Sequence, residues 1–397
     1  MTGRGNLRKD TWDPQEAAIR GLDFFVRNQV TSTDSADHGR FPFIFDCRQQ
    51  VTQSLTTNWT TGVVVEALLA GHGFTGRDVY LQAAQRAVCY LKSLQDFWPL
   101  SRRTFGLLHE ATPQTTWAHP RDALTGAWAM LDYGDQVGDE DSLRRAEYFA
   151  QWFIDVGMEH GYPYWTARFD DSPWEPSWTG SFHSGGAFFF YRLFARTGDQ
   201  KCRQAMRTIL RHYNAHHLAA DGEITVILDR TTLEALDGRV DPSSAHPGWQ
   251  VMHKYNDDFG ALANLAAFSL DGEAAYRDAA VGFLKRMAAE QRQDGGFGPK
   301  DHSVPSAGAS VLIELLAARK LGIEVADQDV LDRTAAYLRS RQVCRPDSPA
   351  DGAFLGYSRK GYTVSDYEAN TRTGAYAIMA LLRYVGASDP FYFFADA

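Results

Sequence analysis

The sequence predicts an all-α fold, an (α/α)6 toroid of six helical hairpins in a single domain over residues 1–397, and two observations carry that prediction. Apolar residues recur at helical spacing in about twelve separate stretches. These stretches alternate between amphipathic and apolar almost all round, in a repeat of roughly fifty to seventy-five residues. An amphipathic helix belongs at a surface and an all-round apolar one between neighbours, so the first kind forms an outer ring and the second lines a barrel.

From Pro14 to Asn28, with Asp13-Pro14 as a start signal, Ala18, Ile19, Leu22, Phe25 and Val26 follow helical spacing. Asn58-Trp59-Thr60-Thr61-Gly62 opens a more apolar helix through Val63, Val64, Val65, Ala67, Leu68 and Leu69, and Tyr80 to Gln95 is amphipathic again. The alternation continues through Asp122 to Tyr133, Leu143 to Val156, His183 to Phe194 and Cys202 to Tyr213. It then takes in the run beginning at Asp257, followed by Tyr276 to Gln291, Ser306 to Leu321, Val330 to Gln342 and Tyr367 to Val385. A small β-hairpin is expected near Gly222 to Ile227, inside the loop of residues 215–252.

Turns from an apolar helix to the next amphipathic one are short, whereas the reverse connections run from about a dozen to nearly forty residues, a length uncommon unless functional. The long loops must therefore share one rim with the N-termini of the apolar helices, whose dipoles turn their positive ends into one funnel. Gathered there are Asn58, Trp59, His119, Arg121, Asp122, His183, the run His253-Lys254-Tyr255-Asn256-Asp257-Asp258, Ser306, Asp366, Tyr367 and Arg372. Asp257 and Asp258 are expected in the first turn of an apolar helix, where carboxylates complement the dipole.

A hydrophobic share of 44% and a charged share of 22% suit a globular chain with a sizeable core, and a net charge of -9 argues against a nucleic-acid partner. Ten Trp fall largely in loops, where flat rings suit the apolar faces of sugars or an isoprenoid. Cys47, Cys89, Cys202 and Cys344 show no metal or disulfide spacing, so no metal and no cofactor is expected. Met1 to Asp10 carries no apolar leader segment and no span reaches membrane length, giving the expectation of a cytoplasmic protein without a membrane partner.

Three turns carry a family resemblance. Thr197-Gly198-Asp199 and Gly138-Asp139, each followed by a helix in which Ala recurs, resemble the hairpin turns of six-hairpin glycosidases, the group that includes unsaturated glucuronyl hydrolases and N-acylglucosamine epimerases. Gln293-Asp294-Gly295-Gly296-Phe297 is similar to a turn shared by those enzymes, terpenoid cyclases and protein prenyltransferases. The resemblance implies a toroid acting on a glycan, with Asp122 in a slot comparable to a catalytic aspartate of the glucuronyl hydrolases. Departures are as informative. Asp122 lacks the flanking His-Asp-x-Gly-Phe context, and His246-Pro247-Gly248-Trp249 lacks the second histidine of the epimerase segment. Asp170-Asp171 is not the cyclase acid motif, and no cysteine lies between Gly298 and Cys344 to complete the prenyltransferase zinc set.

Glycoside cleavage needs a carboxylic acid and a second carboxylate or positioned water, and Asp257 or Asp258 with Asp122 or Asp46 could supply them. Uronate β-elimination needs a group that neutralises the carboxylate, then a base and an acid. Asn58, His183, His253, Tyr255, Tyr367 and Arg372 make that set. Trp59, His119, Trp178 and Lys254 complete the candidate sugar contacts. Arg372, one turn inside an apolar helix, must be paired by Asp366, Glu368, another inner helix or a substrate carboxylate, because an unpaired buried guanidinium is very costly. The expected function is a hydrolase acting on an acidic, uronate-containing oligosaccharide. A β-eliminating lyase, an isomerase, a terpenoid-type cyclase and a glycan-binding toroid stay open. A polar, Trp-walled cleft favours sugar; a cavity walled only by Phe, Trp and Leu favours an isoprenoid.

Overall fold

The computed structural model describes residues 13–386 apart from 102, 175–177, 237–246 and 359–362. His246 and the segment Met1 to Asp10 thus lie outside the described residues. Twelve of the α-helices seen there form six hairpins. In order, outer then inner, they are α1 (Pro14–Asn28) and α2 (Asn58–Thr75), α3 (Asp78–Ser93) and α4 (Pro120–Val137), α5 (Glu140–Trp152) and α6 (Gly186–Thr197). Next comes α7 (Gln200–His212), which reaches its inner partner α9 (Gly260–Asp271) by way of an additional helix, α8 (Pro247–Tyr255). The ring continues with α10 (Ala274–Ala289) and α11 (Ala307–Lys320), and closes with α12 (Gln328–Ser340) and α13 (Thr371–Tyr384).

The expected division of labour holds. Outer α1 buries one stripe, Ala17, Ala18, Gly21, Leu22, Phe24 and Phe25, while inner α13 is buried at every residue from Thr371 to Arg383. Inner helices α2, α4, α6 and α9 each end on a left-handed glycine, Gly76, Gly138, Gly198 and Gly272, with φ between 67° and 73°. Each glycine N–H donates to the carbonyl four residues back at 2.8 Å, so the chain reverses within two residues and the next outer helix begins. The six long connections consequently emerge on the opposite rim. No helix among the described residues is long and apolar enough to cross a membrane.

Two expectations about elements are corrected, and the expected hairpin is found in short form. The last inner helix begins at Thr371, not Tyr367, because residues 364–370 are a strand that pairs with the first long loop. Numbering the strands discussed here in chain order, β1 (Pro42–Asp46), β2 (Val51–Leu55), β5 (Leu355–Tyr357) and β6 (Val364–Asn370) form an antiparallel sheet in the order β2-β1-β6-β5. Its central register is Ile44 opposite Asn370 and Asp46 opposite Glu368, so the sheet ties the first long loop to the last across the ring closure. A helical reading of Asp366 to Glu368 fails because cross-strand pairing outweighs local propensity.

The small β-hairpin expected near 222–227 is present: it turns at left-handed Gly222, is bridged between Leu218 and Ile224, and is held by the Thr225 N–H on the His217 carbonyl at 2.8 Å, stopping short of Ile227. The following strand β4 (Ile227–Asp229) pairs instead with β3 (Trp178–Gly180) of the preceding long loop. Asp257 and Asp258, finally, stand before a helix rather than in its first turn: α8 ends at Tyr255, Asp258 and Phe259 take left-handed φ of 53° and 71°, and α9 starts at Gly260. The turn fits because Gly185 packs beneath it; a Cβ there would fall 1.7 Å from the Asp258 carbonyl oxygen.

Candidate active site

The long-loop rim opens into a cavity of about 510 Å³. Its walls combine the aromatic rings of Trp59, Trp165, Phe182 and Trp249 with the polar side chains of His119, Arg121, Asp122, His253, Asp258 and Arg372. Inner-helix N-termini deliver most of the polar groups: Trp59 from α2, Arg121 and Asp122 from α4, Arg372 from α13, and Asp258 from the turn before α9.

Asp258 is the hub. It pairs with Arg372 Nη2, lies 3.4 Å from Arg121 Nη2, and has His253 Nδ1 3.0 Å from its second oxygen. Burial alone would raise the Asp258 carboxyl, but Arg372, Arg121 and His253 more than offset it and hold it well below the usual carboxylate range. It is therefore a fixed negative charge that orients two guanidinium groups. The Trp59 ring lies 5.1 Å from the Arg121 guanidinium and 5.2 Å from that of Arg372, adding cation–π attraction to both. Arg372 Nη1 has the thioether of Met252 as its neighbour at 3.2 Å, a weak acceptor that a substrate oxygen would better.

Asp122, part-exposed on the wall, is 3.6 Å from Arg121 Nη1. Behind it sits Glu110, 5% exposed, which accepts the His119 N–H at 3.0 Å and lies against the side chains of Asn58 and Asp122. Burial first, and then the charge of Asp122, push Glu110 well above its ordinary value. His119 Nδ1 lies 2.8 Å from the Trp165 carbonyl, which fixes that nitrogen as the donor and leaves Nε2 as an acceptor.

Of the residues expected from sequence, Trp59, His119, Asp122, His253, Asp258 and Arg372 come together on the cavity wall. Asn58 lies one layer behind, its amide donating to the His109 carbonyl at 3.1 Å. Trp178 backs Trp165 at 4.2 Å between ring centroids, and His183 is buried with neither ring nitrogen hydrogen-bonded to any of the described residues. Asp257, fully buried, accepts the N–H groups of Ala261 at 2.7 Å and Phe259 at 3.1 Å, so it caps α9. Tyr255 packs near Glu290 and Arg286, and the half-exposed Lys254 pairs with Glu223 at 3.5 Å. Asp46 accepts the N–H groups of Arg48 and Gln49 at 2.8 Å in the turn after β1, and Tyr367 on β6 lies under the Arg48 guanidinium in a separate surface groove. Glu110, Trp165 and Trp249 were not singled out as site residues. Glu110 was nonetheless visible as an acid set directly after the apolar pair Leu107-Leu108 and His109. Among the described residues, no cluster of three or more His, Cys, Asp or Glu is arranged to hold a metal ion.

The buried titratable groups set a pH optimum for stability. Burial, the leading cause in each case, lowers His217 and His253 to about 4, His212 to about 2 and His183 well below its ordinary 6.5. Burial likewise raises Glu110 and Glu314 well above 4.5, each helped by its carboxyl neighbour, Asp122 and Asp257 respectively. Above pH 6.5 the histidines are neutral in both states, while the folded chain retains protons on the two glutamates that the unfolded chain has lost. Stability therefore falls as pH rises, by roughly 1.4 kcal/mol per unit for each glutamate. Below pH 4.5 the unfolded carboxyls are protonated too, and the unfolded histidines bind protons that the folded ones refuse, so stability falls as pH falls. Between these limits the slopes oppose each other. Urea midpoints measured across pH 3–9 should peak between about 4.5 and 6.5, with Glu314→Gln flattening the alkaline arm.

No protein-family model matches the chain, and no curated protein matches it by sequence. Solved structures do match in fold. An unsaturated glucuronyl hydrolase from Bacillus sp. GL1, described as responsible for glycosaminoglycan degradation, superposes with a TM-score of 0.70 at 18% identity, covering 97% of this chain and 100% of its own. A cellobiose 2-epimerase from Bacillus thermoamylovorans gives a TM-score of 0.67 at 11% identity over 93% and 98% of the two chains. An α-1,6-mannanase from Salegentibacter sp., solved with α-1,6-mannotriose, gives 0.61 at 12% identity over the same shares. The fold of this chain is thus the six-hairpin (α/α)6 toroid of those glycan-acting enzymes.

Proposed function

We propose that this toroid is a glycoside hydrolase acting on an acidic, uronate-containing oligosaccharide, with Asp122 as the acid/base group. The observation that carries the reading is the pairing, on one Trp-lined wall, of a part-exposed Asp122 with two buried guanidinium groups, Arg121 and Arg372, that share one Asp258 carboxylate. Two cations there meet two carboxylates, so a chain with a net charge of -9 keeps a cavity that does not repel an acidic sugar. Trp59, Trp165 and Trp249 offer ring faces to the pyranose, and the substrate carboxylate takes the free donors of Arg372 and Arg121. Asp258, held ionised, has no proton to give at neutral pH; its part is to orient the arginines. Asp122 takes a proton from the water that attacks the sugar carbon and returns it to the glycosidic oxygen as that C–O bond breaks, so the leaving group departs as an alcohol.

Incubation with a panel of saturated and unsaturated uronyl disaccharides and neutral cello- and manno-oligosaccharides tests this. New reducing ends from the uronyl members support hydrolysis, and cleavage confined to the neutral members would overturn the acidic assignment. One observation favours a second reading: the His119 tautomer leaves Nε2 as a base on the cavity wall, as β-elimination at a uronate requires. That reaction announces itself by rising absorbance from a new unsaturated uronate. Arg372→Lys keeps the charge and loses the planar fork, so affinity for an acidic disaccharide should fall by about 1–3 kcal/mol, while that for a neutral analogue barely moves. Titration calorimetry with both ligands checks the difference.

A further inference from the structure

Glu110 has no place on the cavity wall, yet its position is tightly determined. Its backbone N–H donates to the Trp117 carbonyl at 3.2 Å, and its own carbonyl accepts the Asn58 N–H at 3.0 Å, so loop and inner helix clamp it from both sides. Its carboxyl accepts the His119 N–H at 3.0 Å and lies against the side chains of Asn58 and Asp122. No cation pairs with it among the described residues. The ionisable groups around it are Asp122 and Arg121 on α4, His119 just before that helix, His109 in its own loop, and Tyr90 on α3, whose phenol donates to the Ala111 carbonyl at 2.7 Å. Arg121, beside Asp122 on α4, is directed to Asp122 and Asp258, and Arg40, over the Tyr90 ring, pairs with Asp37. Two carboxyl groups in hydrogen-bond contact cannot both be ionised at low cost when one is sealed from water. The proton must sit on the buried member, which then donates to the exposed one.

We propose that Glu110 is the positioning residue of Asp122: as a carboxylic acid it donates to one Asp122 oxygen, fixes the rotamer of that side chain, and leaves the other oxygen to the substrate. The proposal rests on Asp122 being the acid/base group. Burial and the Asp122 charge hold Glu110 protonated through neutral pH, in keeping with this role. When Glu110 does ionise, the donated bond becomes a repulsion between two carboxylates, and Asp122 loses its orientation. Activity therefore has an alkaline limb set by Glu110 rather than by a group in the cavity.

Three variants and two readouts test this. Glu110→Gln is isosteric and still donates, but cannot ionise; Glu110→Ala removes the donor; Asp122→Asn removes the charge opposite Glu110 and keeps a single acceptor oxygen. Infrared difference spectra at pH 7 should contain a protonated-carboxyl carbonyl band in the wild type that is absent from Glu110→Gln, whatever the substrate. With an unsaturated uronyl disaccharide as probe, Glu110→Gln should keep kcat within a few-fold and lose the alkaline limb of the pH profile. Glu110→Ala should lower kcat by about ten- to a hundredfold with little change in KM, the size expected for one oriented charge-assisted bond. Identical infrared spectra for wild type and Glu110→Gln would overturn the proposal, as would an unchanged alkaline limb or full activity in Glu110→Ala. If Glu110→Ala does not fold, the isosteric Gln variant still decides. Wild-type inactivity on the probe would count against the hydrolase reading and leave the infrared band to decide Glu110.

Discussion

Asp122→Asn should cut turnover by about 10²–10⁴-fold, the usual contribution of a positioned acid/base group, with the melting temperature hardly changed. The side chain is part-exposed on the cavity wall, its nearest cation is Arg121 at 3.6 Å, and the isosteric amide keeps the volume. Asp257→Asn, which the sequence alone pairs with it, should behave in the opposite way. Asp257 is fully buried, caps the first turn of α9, and shares a hydrogen bond with Glu314, whose own raised value makes it the donor. An amide there presents N–H groups to donors, so stability should drop by about 1–3 kcal/mol while activity per folded molecule persists. Steady-state kinetics and thermal unfolding on both variants separate the two roles. Loss of folding in Asp122→Asn, or of activity in a stable Asp257→Asn, would reverse the assignments.

Asp258→Asn should be the most destabilising single substitution at the site, at about 3–5 kcal/mol, because it strands two buried cations. Arg372 is 5% exposed and Arg121 9% exposed, so neither can recover hydration without opening the barrel mouth. The turn that carries Asp258 has no slack either, with left-handed φ at Asp258 and Phe259 and Gly185 pressed against it. Denaturant unfolding measures the loss, and the double variant Asp258→Asn with Arg372→Met should recover part of it. A stable but inactive Asp258→Asn would instead make this carboxylate a catalytic group.

What could be read in the chain follows from what is local. Helix positions are local: a stripe such as Ala18, Leu22 and Phe25, or an all-apolar run such as Val63 to Leu69, identifies outer and inner members, and Gly76, Gly138 and Gly198 mark the tight reversals. Short reversals on one side imply long loops on the other, which was enough to collect Trp59, His119, Asp122, His253, Asp258 and Arg372 at one rim. Pairing is not local. Nothing near Arg372 in sequence names Asp258 as its partner 114 positions earlier, and the nearby Asp366 and Glu368 looked equally eligible. Strand β6 is hidden for the same reason: of its two partners only the three-residue β5 is near in sequence, and β1 lies at the other end of the chain. Glu110 escaped because its meaning depends on a contact with Asp122 across a loop whose path no periodicity encodes.

The most direct measurement is a crystal structure of Asp122→Asn soaked with an unsaturated uronyl disaccharide. The sugar carboxylate should lie within hydrogen-bond distance of Arg372 and Arg121, a pyranose face should stack on Trp59 or Trp165, and the glycosidic oxygen should sit beside residue 122. A uronate carboxylate pointing away from both arginines, or a ligand bound with its glycosidic oxygen remote from residue 122, would contradict hydrolysis of an acidic glycan at this cavity.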